Sequence, residues 1–173
     1  MEFIPLYFQD KLQIINPQGT IGLLTLWSKV DYVLERFRQA GVDLDPATSP
    51  VAVCGTLYGN GLRELLRNLL YNPQIRTLVV CGRNRSHSLE ELEAFFTQGL
   101  EDSPSPLLAF APGPDGQPVA TCRIRGTNRI IDNLVRPELF RTPPRLVKLG
   151  EPQAADCLQK IQAFFAALLP EPC

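Results

Sequence analysis

Two short, uninterrupted apolar runs organise the middle of the chain. Val51-Ala52-Val53-Cys54 and Leu78-Val79-Val80-Cys81 each end in a glycine, and each precedes residues with helical spacing. A continuous apolar run of this length fits a parallel strand covered on both faces. After Gly55, the leucines 62, 65, 66, 69 and 70 repeat at helical intervals until Asn72-Pro73, where the residue before proline avoids the helical region. After Gly82, Ser88 and Glu91 have capping-box spacing, and Leu89, Leu92, Phe95 and Phe96 form the next apolar face. Residues 50–99 therefore read as strand, helix, strand, helix, and the right-handed crossover rule makes the two strands parallel neighbours.

Upstream, Leu12, Ile14 and Ile15 before Asn16-Pro17-Gln18-Gly19 predict a short edge strand and a turn. Ile21 to Trp27 predicts a strand, with Ser28 capping a helix to about Gln39. Val30, Val33, Leu34 and Phe37 share that helix's inner face, and Gly41 suits a left-handed cap. Asp43 to Pro50 reads as a linker. Downstream, Leu107–Ala111 and Val119–Ile124 flank Pro112–Gln117 and predict a hairpin. Residues 126–144 read as loop with one short helix, Leu146–Leu149 as a last strand, and Ala154–Leu169 as a terminal helix striped by Cys157, Leu158, Ile161, Phe164, Phe165 and Leu168. The expected architecture is α/β: a three-layer sandwich with a mostly parallel sheet and an added antiparallel hairpin. It forms one domain over residues 1–173, with an N-terminal strand-helix part (1–48), a βαβα core (49–100) and a final part (101–173).

Composition narrows the classes. The 173 residues are 45% hydrophobic and 20% charged, enough apolar surface for one core. Seventeen basic against eighteen acidic residues give a net charge of −1, which argues against a nucleic-acid binder and a polybasic membrane anchor. The start lacks the basic region of a signal peptide, and no apolar run reaches membrane length, so a cytoplasmic protein is expected. Five widely spaced cysteines without C-x-x-C point away from a disulfide framework or zinc site.

Candidate chemistry lies in the two strand-to-helix loops. In open parallel sheets, ligands bind beyond the carboxyl ends of the strands. The first loop carries Gly55, Thr56, Gly59, Asn60 and Gly61, in the pattern G-x-x-x-G-x-G. Its glycines allow close backbone approach, and the amides opening the next helix attract an anion. The second carries Gly82, Arg83, Arg85, Ser86 and His87. Its forked guanidinium groups suit phosphate or carboxylate. Arg123, Arg125 and Arg129 sit in comparable segments. The alternative readings are a tight turn for the glycines and a solvated, ion-paired surface for the arginines. His87 is the single histidine, and no nucleophile, metal or paired-carboxylate constellation accompanies it. No catalytic residue and no metal site are assigned.

Residues 49–87 carry a resemblance. Ser49-Pro50-Val51-Ala52-Val53, Gly61-Leu62-Arg63-Glu64-Leu65-Leu66-Arg67-Asn68-Leu69-Leu70 and Asn72-Pro73-Gln74-Ile75-Arg76-Thr77-Leu78-Val79-Val80-Cys81-Gly82 resemble a domain of unknown role fused ahead of some prokaryotic thymidylate synthases. That domain is related to the corrinoid-binding A subunit of tetrahydromethanopterin S-methyltransferase. Gly126-Thr127-Asn128-Arg129 again looks like the synthase-fused domain. The resemblance implies a Rossmann-like sheet. It implies an accessory, non-catalytic module of folate and nucleotide metabolism that binds an anionic small molecule of nucleotide or folate class. Two alternatives stand beside this one. In the first, the domain is a corrinoid methyl carrier, with cobalamin as cofactor and His87, near the position of the family's cobalt-binding histidine, as lower ligand. In the second, it docks on a separate thymidylate synthase. Homo-oligomers are compatible with each. Synthase activity itself is not implied: no Pro-Cys-His nucleophile motif is present, and Cys173 has no chain beyond it.

Overall fold

A computed structural model describes residues 1–169. Its elements are β1 (Gln13–Ile14), β2 (Ile21–Leu26), α1 (Val30–Gln39), β3 (Val51–Gly55), α2 (Leu62–Tyr71), β4 (Thr77–Arg83), α3 (Ser88–Thr97), β5 (Leu100–Asp102), β6 (Phe110–Pro112), β7 (Pro118–Ile124), β8 (Ile130–Asp132), β9 (Arg145–Gly150) and α4 (Cys157–Ala166). Two sheets result. The first has the order β1-β3-β2-β4-β9, parallel except for the β1–β3 pair. The second is antiparallel, with β7 pairing β5, β6 and β8.

Alternation along the inner strands sorts side chains to the two faces of the parallel sheet. Leu24, Leu26, Leu78 and Val80 join one buried cluster with Leu62, Leu66 and Leu69 of α2 and Leu92 and Phe95 of α3. Leu23, Val79 and Cys81 join the other, with Val33, Leu34 and Phe37 of α1 and Cys157 and Ile161 of α4. β2 and β3 are buried along their whole length, Thr25 of β2 included, whose hydroxyl donates to the Ser28 carbonyl. The antiparallel sheet is anchored to the first cluster by Cys122, Ile124 and Ile131.

One expectation about pairing is corrected. β3 and β4 are parallel members of one sheet but not neighbours, because β2 lies between them. The α2 crossover spans one strand, which the handedness rule permits equally. β2 gains a partner on each side: Leu23 faces Cys54 on β3 and Val79 on β4. The hairpin β6–β7 forms as expected but belongs to the separate sheet, and two of that sheet's strands, β5 and β8, are too short to signal themselves.

Helix starts also differ. α1 begins at Val30 without a side-chain cap. Ser28 instead accepts a hydrogen bond at Oγ from the Arg83 amide (3.0 Å), tying the ends of β2 and β4 together. The Ser88–Glu91 capping box does not form: His87 takes the cap position in a left-handed conformation (φ 58°), Ser88 Oγ meets Ser86 Oγ, and Glu91 binds Arg129. α4 is shorter than its apolar stripe, running Cys157–Ala166, and Leu168 beyond it is exposed. Phe165 packs edge-on against Phe37, as core. Residues 170–173, with Cys173, lie outside the described residues. No helix among the described residues is long and apolar enough to cross a membrane.

Candidate functional site

The carboxyl ends of β3, β2 and β4 form one edge, and each continues into a segment with its own chemistry. Because β2 is central, its exit at Trp27-Ser28 separates the two loops singled out in the sequence. The loop after β3 runs Thr56–Gly61. Gly55 is buried against Leu12, and Gly59 is left-handed (φ 57°) and in open space. Gly61 takes the cap position of α2, with ordinary room for a Cβ 3.5 Å from the Tyr58 carbonyl. Thr56, Tyr58, Asn60 and Gly61 face the N-terminal residues Phe8 and Lys11 across a cavity of about 280 Å³. In the same cavity Glu64 accepts from Arg63 Nε (2.7 Å), and this bond raises the arginine's already high pKa.

The second candidate segment is held differently: Gly82 and Arg83, expected in the exit loop, belong to β4, because Arg83 still pairs with Leu26 of β2. Gly82 is required by packing, since a Cβ there would collide with the backbone of Thr25 at Thr25 O. Arg83, Arg85 and His87 are exposed. Asn84 Nδ2 donates to both oxygens of Glu90 (2.8 and 2.7 Å), which holds that carboxyl below the usual range.

Two side chains that carried no weight in the sequence reading join these loops. Trp27 Nε1 donates to Ser86 Oγ (3.0 Å), and the Trp27 amide donates to the Arg83 carbonyl (3.0 Å). The Trp27 ring lies 4.7 Å from the Tyr58 ring, centroid to centroid, tilted by 32°. The sequence signal was present: a lone tryptophan directly after a mostly apolar strand, and a tyrosine inside the glycine loop. The preceding residue, Leu26, is buried yet left-handed (φ 51°), where β2 shifts register against β4.

The arginines divide into two groups. Arg129 is part of the scaffold: its Nε donates to Glu91 (2.8 Å) and its Nη1 to Asn60 Oδ1 (2.9 Å), so α3 and the β7–β8 loop together fix the first glycine loop. The Thr127 hydroxyl shapes that turn by accepting from the Arg129 amide (3.1 Å). Arg123 pairs with Glu101 (2.6 Å). Arg67 of α2 forms a buried pair with Asp132 at the end of β8. Among the described residues, no carboxylate lies within ion-pair distance of Arg83, Arg85 or Arg125.

The buried thiols carry no reactive signature. Burial drives Cys54 far above an ordinary thiol, and burial with Cys157 nearby pushes Cys81 up to about 12, so neither supplies thiolate near neutral pH. Among the described residues, no group of three or more His, Cys, Asp or Glu is arranged to hold a metal. Compared with known proteins, the chain matches no protein-family model and no curated protein.

Proposed function

We propose that this chain is an accessory, non-catalytic ligand-binding domain that takes an anionic small molecule at the carboxyl edge of its parallel sheet. In this reading the fold is a Rossmann-like three-layer sandwich with an antiparallel hairpin set apart. The observation that carries the reading is Arg83 and Arg85: exposed, without carboxylate partners among the described residues, and leaving β4 beside the exit of β2. β3 and β4 flank β2 on opposite sides, so the strand order reverses there, and open parallel sheets bind their ligands at such a reversal. The amides opening α2 lie at the same edge and favour negative charge. Resemblance to the domain fused to thymidylate synthases supplies the class, nucleotide or folate, and the association with a thymidylate synthase.

The test is a thermal-shift panel of nucleotides, folates and cobalamin, followed by calorimetry. A nucleotide or folate should stabilise the wild type. Arg85→Ala, or Arg83→Ala if that side chain is the one facing the ligand, should weaken binding by roughly tenfold to a hundredfold, the worth of one charge-assisted bond. If both single variants bind like the wild type, the anion site is refuted. Cobalamin binding that vanishes in His87→Ala would replace this reading with the corrinoid one.

A further inference from the structure

We propose that Trp27 and Tyr58 form a stacking platform for the ring of a planar aromatic anion, the chemistry a nucleoside monophosphate presents, whose charge is taken by Arg83 and Arg85. This rests on the anion reading above and adds a ring subsite to it. Trp27 directly follows β2 and is 46% exposed, and Tyr58, in the loop after β3, is 47% exposed. Rings exposed singly are ordinary, but contiguous exposed apolar surface marks a binding site. The two rings are already in contact, which joins them into one apolar surface spanning the exits of β2 and β3.

Trp27 is also immobilised before any ligand arrives. Its amide is bonded to the Arg83 carbonyl and its indole N–H to Ser86 Oγ, and Ser86 Oγ is in turn bonded to Ser88 Oγ (2.8 Å). A ring held at both ends loses little rotamer freedom on stacking, so more of the contact appears as affinity. The chain tolerates a left-handed Leu26 immediately before this ring and a left-handed His87 immediately after Ser86. Non-glycine residues in that region are strained, and such strain clusters at ligand clamps. Charge sets the remaining chemistry. The Arg83 carbonyl accepts from the Trp27 amide and Arg85 precedes Ser86 in the chain, so two arginines without carboxylate partners among the described residues belong to the segment that holds Trp27. A neutral hydrocarbon would leave them unused, whereas a phosphorylated ring engages both surfaces.

Trp27 is the single tryptophan of the chain, so intrinsic fluorescence reports on the platform directly. The full chain is titrated with nucleoside 5′-monophosphates, the corresponding nucleosides and inorganic phosphate. A monophosphate is expected to quench Trp27 saturably and to bind at least tenfold more tightly than phosphate. By calorimetry, Trp27→Ala and Tyr58→Ala should each lose roughly tenfold or more, as base–aromatic stacking does, while Trp27→Phe keeps most of the affinity. Unchanged melting temperatures identify variants whose fold is intact, and Tyr58→Ala carries the test if Trp27→Ala does not fold. If phosphate binds and loses affinity with the arginines, but monophosphates gain nothing over it, the platform is overturned and the anion site stands. If nucleosides bind as tightly as monophosphates, the platform stands and the anion site falls. If no probe binds, both fail.

Discussion

Gly61 and Gly82 look alike in the sequence, each in a strand-to-helix loop, but they answer to different constraints. Gly61 has ordinary room at its Cβ position, so its hydrogen is a matter of cap preference and ligand access. At Gly82 a methyl group would enter the carbonyl of Thr25, a backbone atom of the central strand that cannot swing aside. Gly82→Ala should therefore cost about 2 kcal/mol or more, as overpacking against an immobile neighbour does, and Gly61→Ala less than about 1 kcal/mol. Urea denaturation of the two variants makes the comparison, and equal losses would refute the assigned close approach. The glycine-rich loop is thus permissive at Gly61 but not at the left-handed Gly59, and the Arg129–Asn60 contact ties it down. That contact links residues 69 apart and had no local signature.

Each helix is fixed by the apolar stripe that its spacing displays, and little by its caps. α1, α2, α3 and α4 all start without a side-chain cap bond. Ser28 and Ser88 are the residue types that cap helices, yet the Ser28 hydroxyl accepts from the Arg83 amide across the sheet edge and the Ser88 hydroxyl meets that of Ser86, two residues away. Stability must then lie in burial. Leu66 of α2 is fully enclosed. Leu66→Ala should cost about 2–5 kcal/mol, through lost transfer energy and the cavity left behind. Arg38→Ala, in an exposed pair with Glu35 on the outer face of α1, should cost under roughly 0.5 kcal/mol. Chemical denaturation that ranked them otherwise would reverse the assignment of helix faces.

At the scale of the molecule, the position of β2 sets both stability and site. It is buried along its length and bonded on both sides, whereas β6 is an edge strand whose own Phe110, like Leu107 just before it, is largely exposed. Amides of β2 and β4 should exchange with solvent only by global unfolding, and those of the β6–β7 hairpin at least about tenfold faster, by local opening. Native-state hydrogen exchange measures this, and hairpin protection equal to that of β2 would show that the two sheets unfold as one. The central place of β2 also puts Trp27 at the point where the strand order reverses.

The period of the apolar residues determined every strand of the parallel sheet and all four helices, because burial acts on each segment's own pattern and needs no knowledge of its neighbours. The β6–β7 hairpin was legible from equally local turn residues, Pro112–Gln117. Pairing order was not: Val51–Gly55 and Thr77–Arg83 read identically whether they touch or flank a third strand, and only the packing of α2 and α3 against one face with α1 and α4 against the other decides it. β5 and β8, three residues each, have too few positions for a period to show and exist because β7 supplies their hydrogen bonds. The candidate site divides in the same way. Its glycines and arginines stood out as residue types. Which arginines are committed to Glu91, Glu101 and Asp132, and that Trp27 rests on Tyr58, are facts of contact between distant segments, and tertiary structure alone brings such segments together.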